Sequence, residues 1–321
     1  LKKMRKRGLS IAFTLMTVAL VFPALGQMSL EGALGIFRED DVVAPFNDQG
    51  KAQLEAAIAA FKAALGVPDT LDEESEDQVG EFVVDLANKD IVNKLSQCYY
   101  TLANIFLTGK NQQLPVYKKG KAWGFKSLRM NPDFLALEKK ESFVAAVKVE
   151  NDLAALYWAN SNWLRISEFD IMAAVRGRIP QQALAVAERT LELGPTYVCY
   201  GPYRSLGAFW AKIPSDPISQ ILMGGLIQDL PKSLSYFCQI VSDPTLCVSG
   251  PVDPSCDEYF ENREFYAEFY LMEKKMYAEA KRVLQSIVDA PVGDKYPLYN
   301  AYTQAHARNL LENDKNLKNL P

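Results

Sequence analysis

An all-α protein built of stacked antiparallel helix pairs is the fold class that the sequence predicts, on three observations. Segments with small or aromatic residues at spacings of four and three recur five times, each closed by a proline. Between them lie segments with a large residue, then leucine and a small residue, then an aromatic at the seventh position. No stretch alternates apolar and polar residues over strand length, as a half-buried strand would.

In chain order, the first closing segment holds Ala57, Phe61 and Ala64 and stops at Pro68. The second holds Gly120, Gly124 and Ser127 before Pro132. QQALAVAERTLELGP supplies Ala183, Ala187 and Thr190 before Pro195. Ser233, Phe237 and Ile240 precede Pro244, and Ala280, Leu284 and Ile287 precede Pro291. The opening segments are Tyr99, Leu102, Ala103, Phe106; then Leu156, Ala159, Asn160, Trp163; then Tyr203, Leu206, Gly207, Trp210; then FYAEFYLM around Ala267. Small residues let two helices approach, aromatics fill the space beside them, and proline ends the pair.

Two such helices make a tetratricopeptide-like unit. The expectation is about four to five helical-hairpin pairs in a compact superhelix, one domain over residues 27–321, with helices closest at Gly207. Residues 296–315, carrying Tyr299, Tyr302, Ala305 and Leu310, read as a C-terminal capping helix, and KNLKNLP after them as a frayed end. GKNQQLPVY (109–117) and KIPSDPISQILMGGLIQDLP (212–231) read as material inserted between helices. LDEESEDQVGE (71–81) reads as a solvated connection or an exposed first turn, and the acid pairs Asp40-Asp41 and Glu73-Glu74 as solvated surface.

The chain has 321 residues, 49% hydrophobic and 23% charged, with 17 Pro and 18 Gly, which excludes wholesale disorder and a collagen-like repeat. Lys2, Lys3, Arg5, Lys6 and Arg7 precede the apolar run 9–25, and Ala24-Leu25-Gly26 offers small residues for a peptidase. This predicts an export signal over residues 1–26, cleaved at Gly26/Gln27, the alternative being an uncleaved anchor. No cysteine near that position could carry a lipid. Removing residues 1–26 takes away five basic groups and leaves 30 basic against 39 acidic, a balance of −9. An acidic domain repels phosphate backbones, so nucleic acid is not an expected partner. No other apolar run reaches membrane-spanning length.

An exported chain meets oxidising conditions. Of Cys98, Cys199, Cys238, Cys247 and Cys256, the pair Cys247 and Cys256 flanks the turn-rich CVSGPVDPSC and is the expected disulfide, against the alternative that all five are small core residues. With no CxxC and one histidine, His306, no metal site is expected, and no cofactor. His306 reads as a surface or capping-helix residue, and Gly224-Gly225 lacks the lysine and hydroxyl of a phosphate loop. No catalytic residue is nominated, and an enzyme is not expected. ALYWANSNWLRISEFD (155–170) crowds two indoles and two amides onto one helix. Amides are poor helix-interior residues without partners. Trp158, Asn160, Asn162 and Trp163, with Tyr203 and Asn262, are therefore the candidates for a ligand- or partner-binding groove, the alternative being that the tryptophans are plain core.

Taken as an ordered set, YKKGKAWGFKSLRMNPDF (117–134), ALYWANSNW (155–163), the GG insertion followed by LPKSLSYFCQIV, and YFENREFYAEFYLMEKKMYAEAKRVLQSIV (259–288) resemble the T component associated with some TRAP (tripartite ATP-independent periplasmic) transporters. The resemblance runs from about Leu95 to Leu311. It implies a periplasmic tetratricopeptide-type protein that associates with the transporter's solute-binding protein, forms a trimer and offers an apolar cleft or pore. Members are often lipid-anchored, and the missing cysteine departs from that pattern. A general adaptor binding peptide or protein in its groove within an envelope complex is the alternative.

Overall fold

The computed structural model describes residues 28–39, 41–247 and 249–320. The expected export signal and its cleavage position lie outside the described residues. Among the described residues the chain is all-α apart from one two-residue antiparallel ladder, β1 (Phe37–Arg38) against β2 (Asp41–Val42). The helices in order are α1 (Leu30–Leu34), α2 (Asp48–Leu65), α3 (Glu76–Glu81), α4 (Lys89–Thr101), α5 (Lys110–Arg129), α6 (Pro132–Lys140), α7 (Phe143–Val147) and α8 (Leu153–Phe169). There follow α9 (Ile171–Arg176), α10 (Ile179–Leu193), α11 (Tyr197–Lys212), α12 (Pro217–Leu222), α13 (Leu230–Phe237), α14 (Phe260–Phe265), α15 (Tyr277–Val288) and α16 (Pro297–Asn313). Two helices run on through a π turn, α4 through Leu102–Phe106 and α14 through Tyr266–Leu271. No described helix is long and apolar enough to cross a membrane.

Local chemistry sets the boundaries. The side chains of Asn47, Ser75, Asn131, Ser142, Asp152 and Asp229 each accept a backbone N–H of the following first turn, which would otherwise be unpaired. Pro132, Pro180, Pro217, Pro231 and Pro297 stand in first turns, where a missing N–H costs nothing. Gly66 ends α2 at φ 69°, a left-handed cap that a side chain would strain.

Helices meet where the sequence is small. Ser96 Oγ donates to Gly120 O at 2.8 Å and Ser127 Oγ to Asn93 Oδ1 at 2.6 Å, so α4 and α5 run antiparallel. α5 then presses on α8. A methyl at Gly124 would stand 2.6 Å from Ala159 Cα, and one at Gly120 would strike the Asn162 amide. At Gly207, the expected closest approach, Ser233 Oγ donates to the backbone carbonyl at 2.7 Å and Phe237 lies 2.8 Å from where a Cβ would be.

The expected inserted loop at 109–117 is mostly helix: α5 starts at Lys110 and passes through Pro115. The Gln113 amide donates to Ala103 O and Leu107 O, both at 3.1 Å, so this early turn serves as the cap of the preceding helix. Segment 212–231 does stand between helices, as α12 and a turn through Gly224 and Gly225. The acidic run is not plain surface. Glu73 is buried and accepts from Lys62 Nζ at 2.6 Å, Tyr99 OH at 2.6 Å and Trp123 Nε1 at 2.8 Å. Glu76 pairs with Lys121 and Arg129, each at 2.8 Å. The tail is not frayed either, since Leu317 is fully buried and Lys281 Nζ donates to Leu320 O.

α16 returns to the start of the array. Leu298 and Tyr299 share a hydrophobic core with Leu95, Leu102 and Trp123, and Thr101 Oγ1 lies 3.0 Å from Tyr299 OH. Phe46 meets Tyr302 edge to face, with ring centroids 5.9 Å apart. Residues of the two ends thus close one core, where an open solenoid keeps its end units apart.

The expected Cys247–Cys256 bridge is corrected. The disulfide joins Cys247 to Cys238, with Cα atoms 5.0 Å apart. Cys238 ends α13, and Asp243 tightens the turn behind it by accepting Thr245 N at 2.9 Å and Leu246 N at 3.2 Å, which folds Cys247 back. Cys256 is a buried thiol in the short turn Pro254–Glu258, whose Cys256 carbonyl accepts from the Asn262 amide at 2.8 Å.

Candidate functional site

Two adjoining cavities lie between α8, α11, α14 and α16. The larger, about 380 Å³, is walled by apolar residues including Leu164, Val175, Ile179, Ala208, Phe209 and Phe265. That volume suits a small organic ligand. Lys212 reaches its lining from the end of α11 and is paired with Glu273 at 3.2 Å. The smaller chamber, about 200 Å³, is polar, with Asn104, Gln113, Tyr117, Glu264, Tyr302 and His306 in its walls. Both are lined by Arg165, Glu168, Glu261, Phe265, Glu268 and Phe269, so the partition is made of side chains.

The partition is held in place by aromatic and ionic contacts. Phe265 and Phe269 pack with centroids 4.7 Å apart, and the Arg165 guanidinium sits 5.9 Å over the Phe265 ring. Arg165 is also paired with Glu168, one turn on, at 3.2 Å. Behind them Arg204, buried in the cleft wall, pairs with Glu261 at 3.1 Å. Burial pushes the Glu261 carboxyl above the ordinary range, and Arg204 only partly counters it.

Arg204 has a second task. Val198, Cys199 and Tyr200 have φ of 46°, 49° and 65°, a left-handed run that disfavours residues with a Cβ. Arg204 Nη1 donates to Cys199 O at 2.7 Å and Nη2 to Val198 O at 3.1 Å, holding the two carbonyls of that run. Nη1 also donates to Asn262 Oδ1 at 2.7 Å, and the cation lies 4.8 Å over the Tyr259 ring. One buried cation therefore fixes the entry of α11, a face of α14 and the back of the cleft.

In the inner chamber His306 Nδ1 lies 2.6 Å from Glu264 Oε1. Burial disfavours the charged imidazole, but the Glu264 hydrogen bond and charge outweigh it, and the pKa rises to about 9. Glu268 is pushed up to about 7, first by burial and then by Glu264 beside it. His306, expected on the surface or on the capping helix, thus stands on α16, half-buried and tied to a carboxylate.

None of the six groove candidates lines either cavity. Trp158, Asn160, Asn162 and Trp163 are buried in the packing of α8. Trp158 Nε1 donates to Tyr197 OH at 3.2 Å, and the Asn162 amide donates to Trp158 O at 2.8 Å and Ser96 O at 3.3 Å. Tyr203 packs near Tyr200 and Tyr236, and Asn262 binds Arg204 and Cys256 O. The helix carrying ALYWANSNW does reach the cleft, through Tyr157 and Ser161 within that block and through Leu164, Arg165 and Glu168 just beyond it. The site charges that sequence reasoning passed over were visible as a pattern. Glu261, Glu264 and Glu268, spaced three and four apart, lie along one face of a segment otherwise crowded with aromatics.

Compared with protein-family models and with curated proteins, the chain matches none.

Proposed function

We propose that this chain is a non-catalytic binding and scaffold protein of the periplasm, holding a small ligand with an apolar body in the larger cleft and associating with the solute-binding component of a TRAP-type transporter. The cleft carries the ligand part of this reading: an apolar pocket of about 380 Å³ whose inner end is polar and charged. Such a shape takes an apolar body first and orients it by a polar head. The ordered sequence blocks at 117–134, 155–163 and 259–288 support the transporter part. A surface for a protein partner is at hand. Ile171 and Met172 on α9 and Ile218 and Ile221 on α12 are half to three-quarters exposed, with Ile171 itself at the cleft.

Ala208 lies in the cleft wall, so Ala208→Trp fills the space. Titration of the full chain with an apolar fluorophore is expected to give saturable binding that this variant abolishes. Equal binding by the variant would refute the cleft as the ligand site. A photo-crosslinker at position 221 tests the partner. Capture of a TRAP-type solute-binding protein supports the transporter reading, and capture of envelope assembly factors supports the adaptor alternative.

A further inference from the structure

The inner chamber holds an unmatched charge. Arg165 pairs with Glu168 and Arg204 with Glu261. That leaves Glu264 and Glu268 with His306, and the donor atoms of these three all lie within 4.8 Å of one another. A buried carboxylate and a half-buried one against a single imidazole recruit either protons or a cation.

A second observation favours a ligand. Asn104, 5% exposed, lines the same chamber, and its amide nitrogen has no partner while its Oδ1 accepts from Tyr117 OH at 3.2 Å. A buried polar atom left unpaired is costly unless something in the cavity meets it. A tyrosine hydroxyl can donate or accept, so the amide can turn and present its oxygen to the chamber without losing Tyr117. Asn104 and Glu268 also stand on two π turns, and both line the chamber. A π turn adds a residue to a helix, is rare, and occurs often at functional sites.

We propose that Glu264, Glu268 and His306 bind a divalent transition-metal cation of the Zn²⁺ or Mn²⁺ class, with the turned Asn104 amide as a further oxygen donor from the chamber lining. One imidazole with carboxylate and amide oxygens suits borderline cations, and the nitrogen donor selects against Mg²⁺ and Ca²⁺. The ligands must be deprotonated to bind, so the cation displaces the proton shared by His306 and Glu264 and any proton on Glu268. Affinity therefore strengthens as pH rises. The other groups facing the trio are Arg165 and Glu168 from α8, Glu261 from α14, Tyr117 from α5 and Tyr302 from α16. Arg165 opposes the cation, and its pairing with Glu168 offsets that. This site does not depend on the transporter reading.

The test is calorimetric titration of chelator-stripped full-length chain with Zn²⁺, Mn²⁺ and Mg²⁺. The expected result is one Zn²⁺ per chain, proton release on binding, and negligible heat with Mg²⁺. Glu268→Gln and His306→Ala should each weaken Zn²⁺ at least about tenfold. His306 is the only histidine, so no other imidazole competes. Glu268→Gln keeps the shape of the side chain, and melting curves confirm that each variant is folded. Co²⁺ gives a second readout, a visible absorption band that His306→Ala removes. Absence of Zn²⁺ binding by the wild-type chain, or equal affinity in the wild type and both folded variants, would overturn the proposal.

Discussion

Replacing Gly124 by alanine sets two known effects against each other. Alanine is the better helix former by about 1 kcal/mol, so at an open site the change stabilises. At Gly124 the new methyl would sit 2.6 Å from Ala159 Cα, 2.9 Å from its Cβ and 3.0 Å from its nitrogen. Carbon atoms in contact prefer about 3.5–4.0 Å, so α5 and α8 must part by about 1 Å. The obstacle is backbone, which cannot swing aside as a side chain can. Overpacking of this kind costs about 1–3 kcal/mol, and an immovable neighbour places it at the upper end. The net expectation is a loss of about 1–2 kcal/mol. Gly80 in α3 is the control, since nothing lies within 4 Å of its Cβ position. Gly80→Ala should raise the melting temperature and Gly124→Ala lower it, by about 2–4 °C per kcal/mol for a domain of this size. Calorimetric melting of both variants beside the wild type reads the sign directly. If Gly124→Ala melts at or above the wild type while Gly80→Ala behaves as expected, the contact between α5 and α8 is not the close one described.

Three further outcomes follow from the buried polar groups. Glu73→Gln should cost about 2–4 kcal/mol at pH 7, because Lys62, Tyr99 and Trp123 lose a charged acceptor in a buried site. Burial raises the Glu73 carboxyl and those three hydrogen bonds more than reverse it, so its folded pKa lies below 4.5. Its stabilisation is then present above that value and lost as pH falls through the folded pKa, and denaturant melts of the two proteins should converge in acid. Arg204→Met should cost about 3–5 kcal/mol by chemical denaturation, since it leaves Glu261 buried alone and frees the Val198 and Cys199 carbonyls. Thermal melts with and without reductant should differ for the wild type and Cys256→Ser but coincide for Cys238→Ser and Cys247→Ser, as the bridge joins Cys238 to Cys247.

The helix pairs were legible because their contacts are written in residue size. Gly120, Gly124, Gly207 and Ser233 are small where a neighbour is close, and that neighbour lies on an adjacent helix. Features joining distant parts of the chain left weaker marks. Glu73 reads as surface in a run of acids until Trp123, fifty residues on, supplies its donor. Cys247 sits in loops on both sides, and the capping by Asp243, which no spacing of cysteines reveals, decides its partner. The six nominated groove residues are large or amide-bearing, and those properties serve packing as well as binding. The cleft instead draws on charged residues just past the ALYWANSNW block, Arg165 and Glu168, on Glu261 from α14, and on Glu268 in the π turn that follows it. A π turn shifts register by one residue, so a regular helical wheel misplaces everything beyond it.

The return of α16 to the first helices bears on how the chain comes to be folded. Tyr299 and Leu298 complete a core begun by Leu95 and Leu102, about two hundred residues earlier. In an open array each unit can settle on its neighbour as it leaves the ribosome. Here the first pair finds its missing wall only after residue 299 has been made. Closure over that sequence distance carries a loop entropy that no local contact offsets, which slows the final step. The first helices therefore stay incompletely packed until α16 is available, and that helix acts as the keystone of their core.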